Sequence, residues 1–178
     1  WLAARMLDLG YLQKLDKSAI PNIDNLEDTL ASPPWDPNRD YSLPWQSYIT
    51  GVGYDPKKVG GDITSVEQLL DPALKGKVTL LTEMRDSVGL VMMGEGKNPE
   101  ACTVDDAKLA CAKIKQYRES GHIRAFTGND YAEDLAAGNI SVAVAWSGDI
   151  QGLAADNPDL RWIAPNEGAM LWSDNMLI

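Results

Sequence analysis

The sequence predicts an α/β protein in which helices flank a largely parallel central sheet. Predicted strands and helices alternate along most of the chain, and turn or cap residues separate them. The strands are short runs rich in Val, Ile and Ala, as is typical of strands buried on both faces. The chain has 178 residues, of which 44% are apolar, so it can bury one sizeable core. We therefore expect one main domain together with part of another.

The first third of the chain combines two helical segments, a loop and a strand. Leu2, Met6 and Leu9 have helical spacing, and Gly10 follows where a helix commonly ends. A second short amphipathic helix is predicted over 23–31. Prolines within 32–38 exclude a helix or a central strand, so this segment is an ordered loop or a linker. A candidate crossover strand follows at 48–54, and its two glycines let the backbone bend or pass close to a neighbour.

The remaining elements alternate regularly between helix and strand. Helices are predicted at 65–70, 84–93, 104–119 and 130–137 and from about residue 149, and strands at 77–81, 123–127, 140–146, 160–164 and 170–178. Thr103 is placed to cap the longest helix, at 104–119, and Gly138 closes the helix at 130–137. This alternation indicates a sheet layered between helices. Because the chain begins inside one predicted helix and stops within a predicted strand, we expect it to be a piece of a larger protein.

Composition and charge narrow the classes of function. The net charge of -10 and the pI near 4.5 argue against nucleic-acid binding, which needs clustered Lys and Arg. An acidic balance suits a cationic ligand, although solubility alone also accounts for it. Cys102 and Cys111 have no His or third Cys at a metal-ligand spacing, so no metal site is predicted. The two cysteines either form a disulfide or remain unlinked small apolar residues.

The first candidate site is the pair Trp146 and Asp149, which follows a buried strand where a helix begins. Ligands of open α/β sheets bind beyond the carboxyl ends of the strands, which is where this turn lies. Trp146 offers a flat π face and Asp149 a charge. Alternatively, Trp146 is a core residue and Asp149 caps the helix.

The second candidate site is the pair Trp172 and Asp174 in the last strand. Strand alternation puts both side chains on one face, and a carboxylate buried in an apolar strand must find a partner. A protonated amine stacks over an indole face for roughly 0.5 to 2 kcal/mol, while a carboxylate neutralises it. Two such pairs could hold a ligand with two amines. The alternative is a carboxylate-based hydrolase that uses Asp149 and Asp174.

Glu83 and Asp86 are a third candidate, again where a strand leads into a helix. They either face the same crevice or serve as acids favoured at a helix N-terminus. The single histidine, His122, is predicted to be solvated in a polar turn. No phosphate-binding loop, zinc pattern or catalytic triad is present, so we predict no catalytic residue and no cofactor.

The residues that carry a family resemblance are spread over nearly the whole chain. They are Gly10 to Asn22, Pro34 to Pro37, Thr50 to Tyr54, Ala145 to Asp149 and Trp172 to Asp174. In their sequence, order and spacing the chain resembles the spermidine/putrescine-binding proteins of bacterial ABC importers. The resemblance implies a periplasmic-binding-protein-like fold of type II. It also implies a ligand held between two lobes, with aromatic residues along its aliphatic chain and acids at its amines.

The resemblance also implies roles for particular residues. Trp146 and Asp149 would bind the ligand from one lobe, and Trp172 and Asp174 near the second crossing strand. Trp1 matches an aromatic residue that lines the pocket from the other lobe. Many family members carry a ligand-binding acid on the helix after the strand at 77–81. This chain has Ser87 there, with Asp86 adjacent as a possible substitute and Glu83 nearby.

By the same comparison, residues 1–52 are a remnant of the first lobe, 53–172 form the second lobe and 173–178 return to the first. The family relationship implies binding without turnover of a cation of the putrescine or spermidine class. The implied partner is the membrane permease of an ABC transporter. The implied location is the periplasm, after removal of a signal peptide, or a lipid-anchored position on the outer face of the cytoplasmic membrane.

Overall fold

The computed structural model describes residues 1–178, which divide into two units. The first unit contains residues 1–47 and 172–178, and the second contains residues 48–171. The sequence analysis placed the first boundary after residue 52 and the second after residue 172, whereas the structure has them after residues 47 and 171. The interpretation of the two units as lobes stays a prediction.

Seven α-helices and six β-strands form the two units. The helices are α1 (Leu2–Asp8), α2 (Asp28–Ala31), α3 (Pro56–Val59), α4 (Met84–Gly94), α5 (Val104–Glu119), α6 (Tyr131–Ala137) and α7 (Ser147–Asp156). The strands are β1 (Leu43–Tyr54), β2 (Val78–Leu81), β3 (Ile123–Thr127), β4 (Val142–Trp146), β5 (Arg161–Ile163) and β6 (Met170–Met176). Most predicted elements are therefore present with bounds shifted by a few residues. None of the helices is both long and apolar enough to cross a membrane.

Two predicted helices are wrong in kind. The segment 23–31 divides into a 3-10 turn, Ile23–Asn25, and the short α2. Leu26 and Glu27 between them have extended backbone angles, which interrupt the helix. The segment 65–70 forms only a 3-10 turn, Glu67–Leu70. In both places the apolar spacing is right, but a segment this short gains too few hydrogen bonds to offset helix nucleation.

In the first unit, the proline-rich segment is an ordered loop closed by buried polar side chains. The Asp36 carboxylate accepts hydrogen bonds from the Asp40 and Tyr41 backbone amides and from the Ser42 hydroxyl. The buried Arg39 guanidinium donates to Asn175 Oδ1 of β6 at 2.9 Å. These contacts fix the loop to the last strand, which resolves the choice between loop and linker.

The sheet of the second unit has the strand order β3-β2-β4-β1-β5. The first three strands are parallel, whereas β1 runs antiparallel to both β4 and β5. The predicted α/β class with a largely parallel sheet is confirmed, since β1 alone of these five strands runs against the others. A buried apolar strand has the same residue pattern in either direction, so periodicity alone could not reveal the orientation of β1.

The predicted role of the glycines in β1 is confirmed. A Cβ atom on Gly51 would lie 2.3 Å from the carbonyl oxygen of Ile163, and one on Gly53 would lie 2.7 Å from Ile150 Cδ1. Both distances are far below contact distance. The strand can therefore run through the middle of this sheet only because positions 51 and 53 carry no side chain.

The core of the second unit lies between the sheet and the helices on its faces. Helix α4 contacts α5 and β2, α5 contacts β3, and α6 and α7 contact β4. The predicted cap on α5 is confirmed as a capping box, in which Thr103 and Asp106 each bond the other's backbone amide. The largest fully buried side chains of this core are Val52, Val78, Leu81, Leu90, Ile123, Tyr131, Leu135, Ile140, Val142, Val144 and Ile150.

The solvated position predicted for His122 is wrong. The residue is 3% exposed, and its Nε2 lies 2.8 Å from the Leu69 carbonyl oxygen. Its ring also meets the Tyr117 ring edge-on, with centroids 5.1 Å apart. Polar neighbours in the sequence suggested solvent, but tertiary packing places the imidazole under the 3-10 turn and α5.

The two cysteines are free and exposed, so the disulfide alternative is not adopted. Cys102 precedes the cap of α5, whereas Cys111 lies two turns inside that helix. Helical rise alone separates them by about 10 Å along the axis. A disulfide requires Cα atoms within about 7 Å, so a bridge would require α5 to unwind.

Candidate functional site

The candidate site lies at the carboxyl-end edge of the three parallel strands. Strand β2 leads into Glu83 and α4, β3 into Asn129 and α6, and β4 into Trp146 and α7. Parallel strands bring their carboxyl ends to one edge of a sheet, and ligands of α/β proteins commonly bind there. Polar and aromatic side chains from three connections are thereby gathered in the second unit.

Trp146 and Asp149 are joined at this edge through Tyr131, which the sequence analysis did not select. The Trp146 backbone amide donates to the Tyr131 hydroxyl oxygen at 2.9 Å, and that hydroxyl donates to Asp149 Oδ2 at 2.7 Å. Asn129 Nδ2 donates to the same oxygen at 3.1 Å. Because both hydrogen bonds end on Oδ2, the other oxygen of the half-buried Asp149 remains for a further donor.

The alternative roles considered for this pair are not adopted. Asp149 lies in the first turn of α7, and the N-cap residue before the helix is Trp146, which makes no side-chain capping bond. The Trp146 ring is half-buried rather than a core side chain, and it meets the Tyr131 ring edge-on with centroids 6.2 Å apart. Burial raises the pKa of the Tyr131 hydroxyl above its ordinary value, with the hydrogen bond to Asp149 acting in the same direction. Tyr131 therefore stays protonated and remains a donor to the carboxylate.

Asp86 contacts the same tryptophan at its indole nitrogen. Its Oδ2 accepts a hydrogen bond from Trp146 Nε1 at 3.0 Å and another from Thr50 Oγ1 of β1 at 2.8 Å. The residue is only 5% exposed. Burial raises the pKa of the Asp86 carboxyl, the two hydrogen bonds oppose that shift, and the charge of Glu83 adds to it. The structure thus brings Asp86 and Trp146 together although 60 residues separate them in the sequence.

A steric requirement explains the glycine at position 148, between Trp146 and Asp149. A Cβ atom on Gly148 would lie 2.5 Å from the ring of Tyr48. The backbone at the start of α7 therefore passes directly beside an aromatic ring from β1. This approach brings the first turn of α7 close to the strand that also supplies Thr50.

The other two residues predicted near α4 have local roles. Glu83 caps α4 by accepting a hydrogen bond from the Arg85 backbone amide at 3.1 Å, and its side chain is exposed. Ser87 is buried, and its hydroxyl donates to the Leu81 carbonyl oxygen at 2.7 Å. Of the acids and hydroxyls after β2, Asp86 alone bonds Trp146.

The remaining predicted site residues belong to the first unit. Trp172 is half-buried in β6, and Asp174 is exposed, with Gln46 Nε2 donating to its Oδ2 at 3.2 Å. The expectation that Asp174 is buried is therefore wrong, because β6 lies at the margin of its sheet rather than in a core. Trp1 begins α1 and is 59% exposed.

Tyr131, Asn129 and Thr50 are the residues that sequence reasoning missed. Asn129 and Tyr131 stand in the connection after β3, so the rule that selected Trp146 and Glu83 would also have selected them. The predicted elements instead leave Asn129 in a loop and place Tyr131 at the start of a helix. No sequence signal identifies Thr50. It lies at the site only because the register of β1 and β4 pairs it with Trp146.

The electrostatics of this edge are those of unneutralised acids. The nine ion pairs of the chain include neither Asp86 nor Asp149. The donors to both carboxylates are neutral. No group of three or more His, Cys, Asp or Glu residues has a metal-binding arrangement. A carboxylate beside an indole face, with neutral support, can bind an organic cation.

Two curated proteins with polyamine names are similar to this chain. The spermidine/putrescine-binding periplasmic protein of Escherichia coli is 28% identical over 181 residues, which cover 98% of this chain and 50% of that protein. The putrescine/cadaverine-binding protein of Pseudomonas aeruginosa is 30% identical over 182 residues, which cover 95% of this chain and 51% of that protein. The chain therefore spans about half the length of these curated relatives.

A solved structure shows the same fold. The TpPotD lipoprotein of Treponema pallidum matches with a TM-score of 0.82 and 19% identity, and the match covers 97% of this chain and 56% of that one. Residues 2–178 also match the family described as bacterial extracellular solute-binding proteins. Since that match includes almost every residue, the chain belongs to the family of bacterial extracellular solute-binding proteins.

Proposed function

We propose that this chain is part of an extracytoplasmic solute-binding protein that captures a polyamine or a similar organic cation for an ABC importer. Family membership supports solute binding, and the names of the E. coli and P. aeruginosa relatives support the ligand class. The chain itself supports a cation through its chemistry at the carboxyl-end edge of the sheet.

One observation carries the proposal: the Asp149 carboxylate is held in place by neutral donors only, beside the Trp146 indole. Neutral donors fix the geometry of a carboxylate without cancelling its charge, so the charge remains available to a ligand. A protonated amine gains a charge-assisted hydrogen bond there and a cation–π contact on the indole. An aliphatic segment of the same ligand can lie along the aromatic face.

The experiment is isothermal titration of the full natural chain with putrescine, spermidine and an uncharged aliphatic diol of similar length. We expect binding of at least one amine and none of the diol, because only the amine satisfies the Asp149 carboxylate. Equal binding of the diol would reject the cation site, and absence of amine binding would reject the ligand class.

The wider assignment follows from the same proposal. A protein of this kind would deliver its ligand to the membrane permease of an ABC transporter. We propose a periplasmic location, as in the name of the E. coli relative, or a lipid-anchored one, as for the T. pallidum lipoprotein.

The hydrolase alternative, with Asp149 and Asp174 as the acid and base, lacks support. The relatives named above carry the names of binding proteins. A general acid requires a carboxyl with a raised pKa, and the Asp86 carboxyl, whose pKa burial raises, is engaged with Trp146 and Thr50.

A further inference from the structure

The acids at the carboxyl-end edge, Asp86 and Asp149, have different surroundings. Asp149 is half-buried, and the hydrogen bonds that it accepts come from Tyr131 and Asn129. Asp86 is 5% exposed, and its partners are the Trp146 indole and the Thr50 hydroxyl. A group buried to this extent offers a ligand very little surface, whereas it is well placed to hold a neighbouring side chain.

The Trp146 indole is held at two places. The backbone amide of Trp146 bonds the Tyr131 hydroxyl, and its indole nitrogen, Nε1, bonds Asp86. With the backbone and the ring nitrogen both fixed, the plane of the indole is fixed as well. Thr50 in turn fixes Asp86 from β1, so two other elements, α4 and β1, determine the orientation of the ring.

This arrangement requires an acceptor at position 86, but it does not require a charge. The amide oxygen of asparagine accepts hydrogen bonds from an indole N–H and a hydroxyl as a carboxylate oxygen does. A residue that bound the ligand amine directly would instead depend on the negative charge. The two roles therefore respond differently to an isosteric change that removes only the charge.

We propose that Asp86 is a positioning residue, which orients the Trp146 indole for the ligand by accepting its Nε1–H and the Thr50 hydroxyl. The proposal rests on the cation-binding function proposed above for this edge. It assigns the ligand's amine to Asp149 and leaves Asp86 in contact with the protein.

The test compares three variants of the full natural chain by titration with putrescine and spermidine. Asp86→Asn keeps the acceptor, and we expect its affinity to fall by less than about threefold. Asp86→Ala releases the indole, and Asp149→Asn removes the charge; we expect each to lose about tenfold or more. A loss in Asp86→Asn as large as that in Asp149→Asn would overturn the proposal, as would wild-type affinity in Asp86→Ala.

A second measurement needs no ligand. In a nitrogen-15 NMR spectrum, the indole resonance that disappears in Trp146→Phe identifies Nε1–H, and its hydrogen exchange reports the bond to Asp86. We expect this proton to be protected in the wild type and in Asp86→Asn. In Asp86→Ala we expect rapid exchange. Rapid exchange in the wild type as well would refute the positioning role. If the alanine variant does not fold, the wild type and Asp86→Asn alone provide the test. Protection without any amine binding would leave the positioning role standing and reject the proposed ligand class.

Discussion

The two Trp/Asp pairs of this chain are alike in composition and different in support. Trp146 and Asp149 are hydrogen-bonded to Asp86 of α4 and to the fully buried Tyr131 of α6, and Thr50 of β1 in turn donates to Asp86. At Trp172 and Asp174, the exposed acid bonds Gln46 on the paired strand. The first pair is held rigid before any ligand arrives, which lowers the ordering cost of binding.

The largest expected effect comes from breaking the scaffold beneath the first pair. In Gly51→Ala the new methyl group would meet the Ile163 backbone oxygen, so β1 or β5 must move. We expect a loss of about 3 kcal/mol in the free energy of unfolding, as for overpacked cores. Urea unfolding measures it. Gly152→Ala in α7, where nothing lies within 4 Å, is the matched control and should be neutral or stabilising.

Removal of the Tyr131 hydroxyl tests the support of the first pair directly. In Tyr131→Phe the Trp146 amide loses its acceptor and Asp149 loses a buried donor. We expect the free energy of unfolding to fall by about 2 kcal/mol, because a part-buried amide is left unsatisfied. Chemical denaturation provides the measurement, and a change below about 0.5 kcal/mol would contradict the rigid support inferred here.

Removal of the charge from the first pair should weaken ligand binding without unfolding the protein. For Asp149→Asn we expect the affinity for putrescine or spermidine to fall about twentyfold, since a charge-assisted hydrogen bond is lost. Titration calorimetry measures the affinity, and the melting temperature serves as the control for folding. An unchanged affinity would remove Asp149 from the site.

The same change in the second pair sharpens the comparison. For Asp174→Asn we expect roughly a tenfold loss of affinity for a diamine, somewhat less than at Asp149, because Asp174 is more exposed and its charge is better screened by water. The titration is the same as for Asp149. If Asp174→Asn binds like the wild type, the two pairs do not share a function, and the prediction drawn from the last strand fails.

The smallest expected effect is a pH dependence from the buried Asp86. Because burial raises the pKa of this carboxyl above 3.8, the folded state holds its proton more tightly than the unfolded state. The stability of the wild type relative to Asp86→Asn should then fall as the pH rises above 3.8, and level off once Asp86 is ionised in the folded state. Urea unfolding of both proteins across the acidic range measures the difference, and a difference that increases with pH would contradict the raised pKa.

Most of the element pattern could be predicted from the sequence because it depends on local chemistry. The capping box at Thr103 and the glycine that ends α6 are short-range features that a reader can recognise without a structure. The strand-end rule placed Trp146, Glu83 and Asp86 at one edge, because it needs only the order of strands and helices.

Tertiary structure alone decided the features that depend on distant residues. The reversed direction of β1, the burial of His122 and the bond between Asp86 and Trp146 all join segments far apart in the chain. The sequence by itself determined most of the elements and that acids and indoles stand at strand ends, because propensity, capping and periodicity act within a few residues. Which acid holds the indole and which retains a free oxygen was decided by packing, because burial and hydrogen-bond geometry arise only once the sheet has assembled.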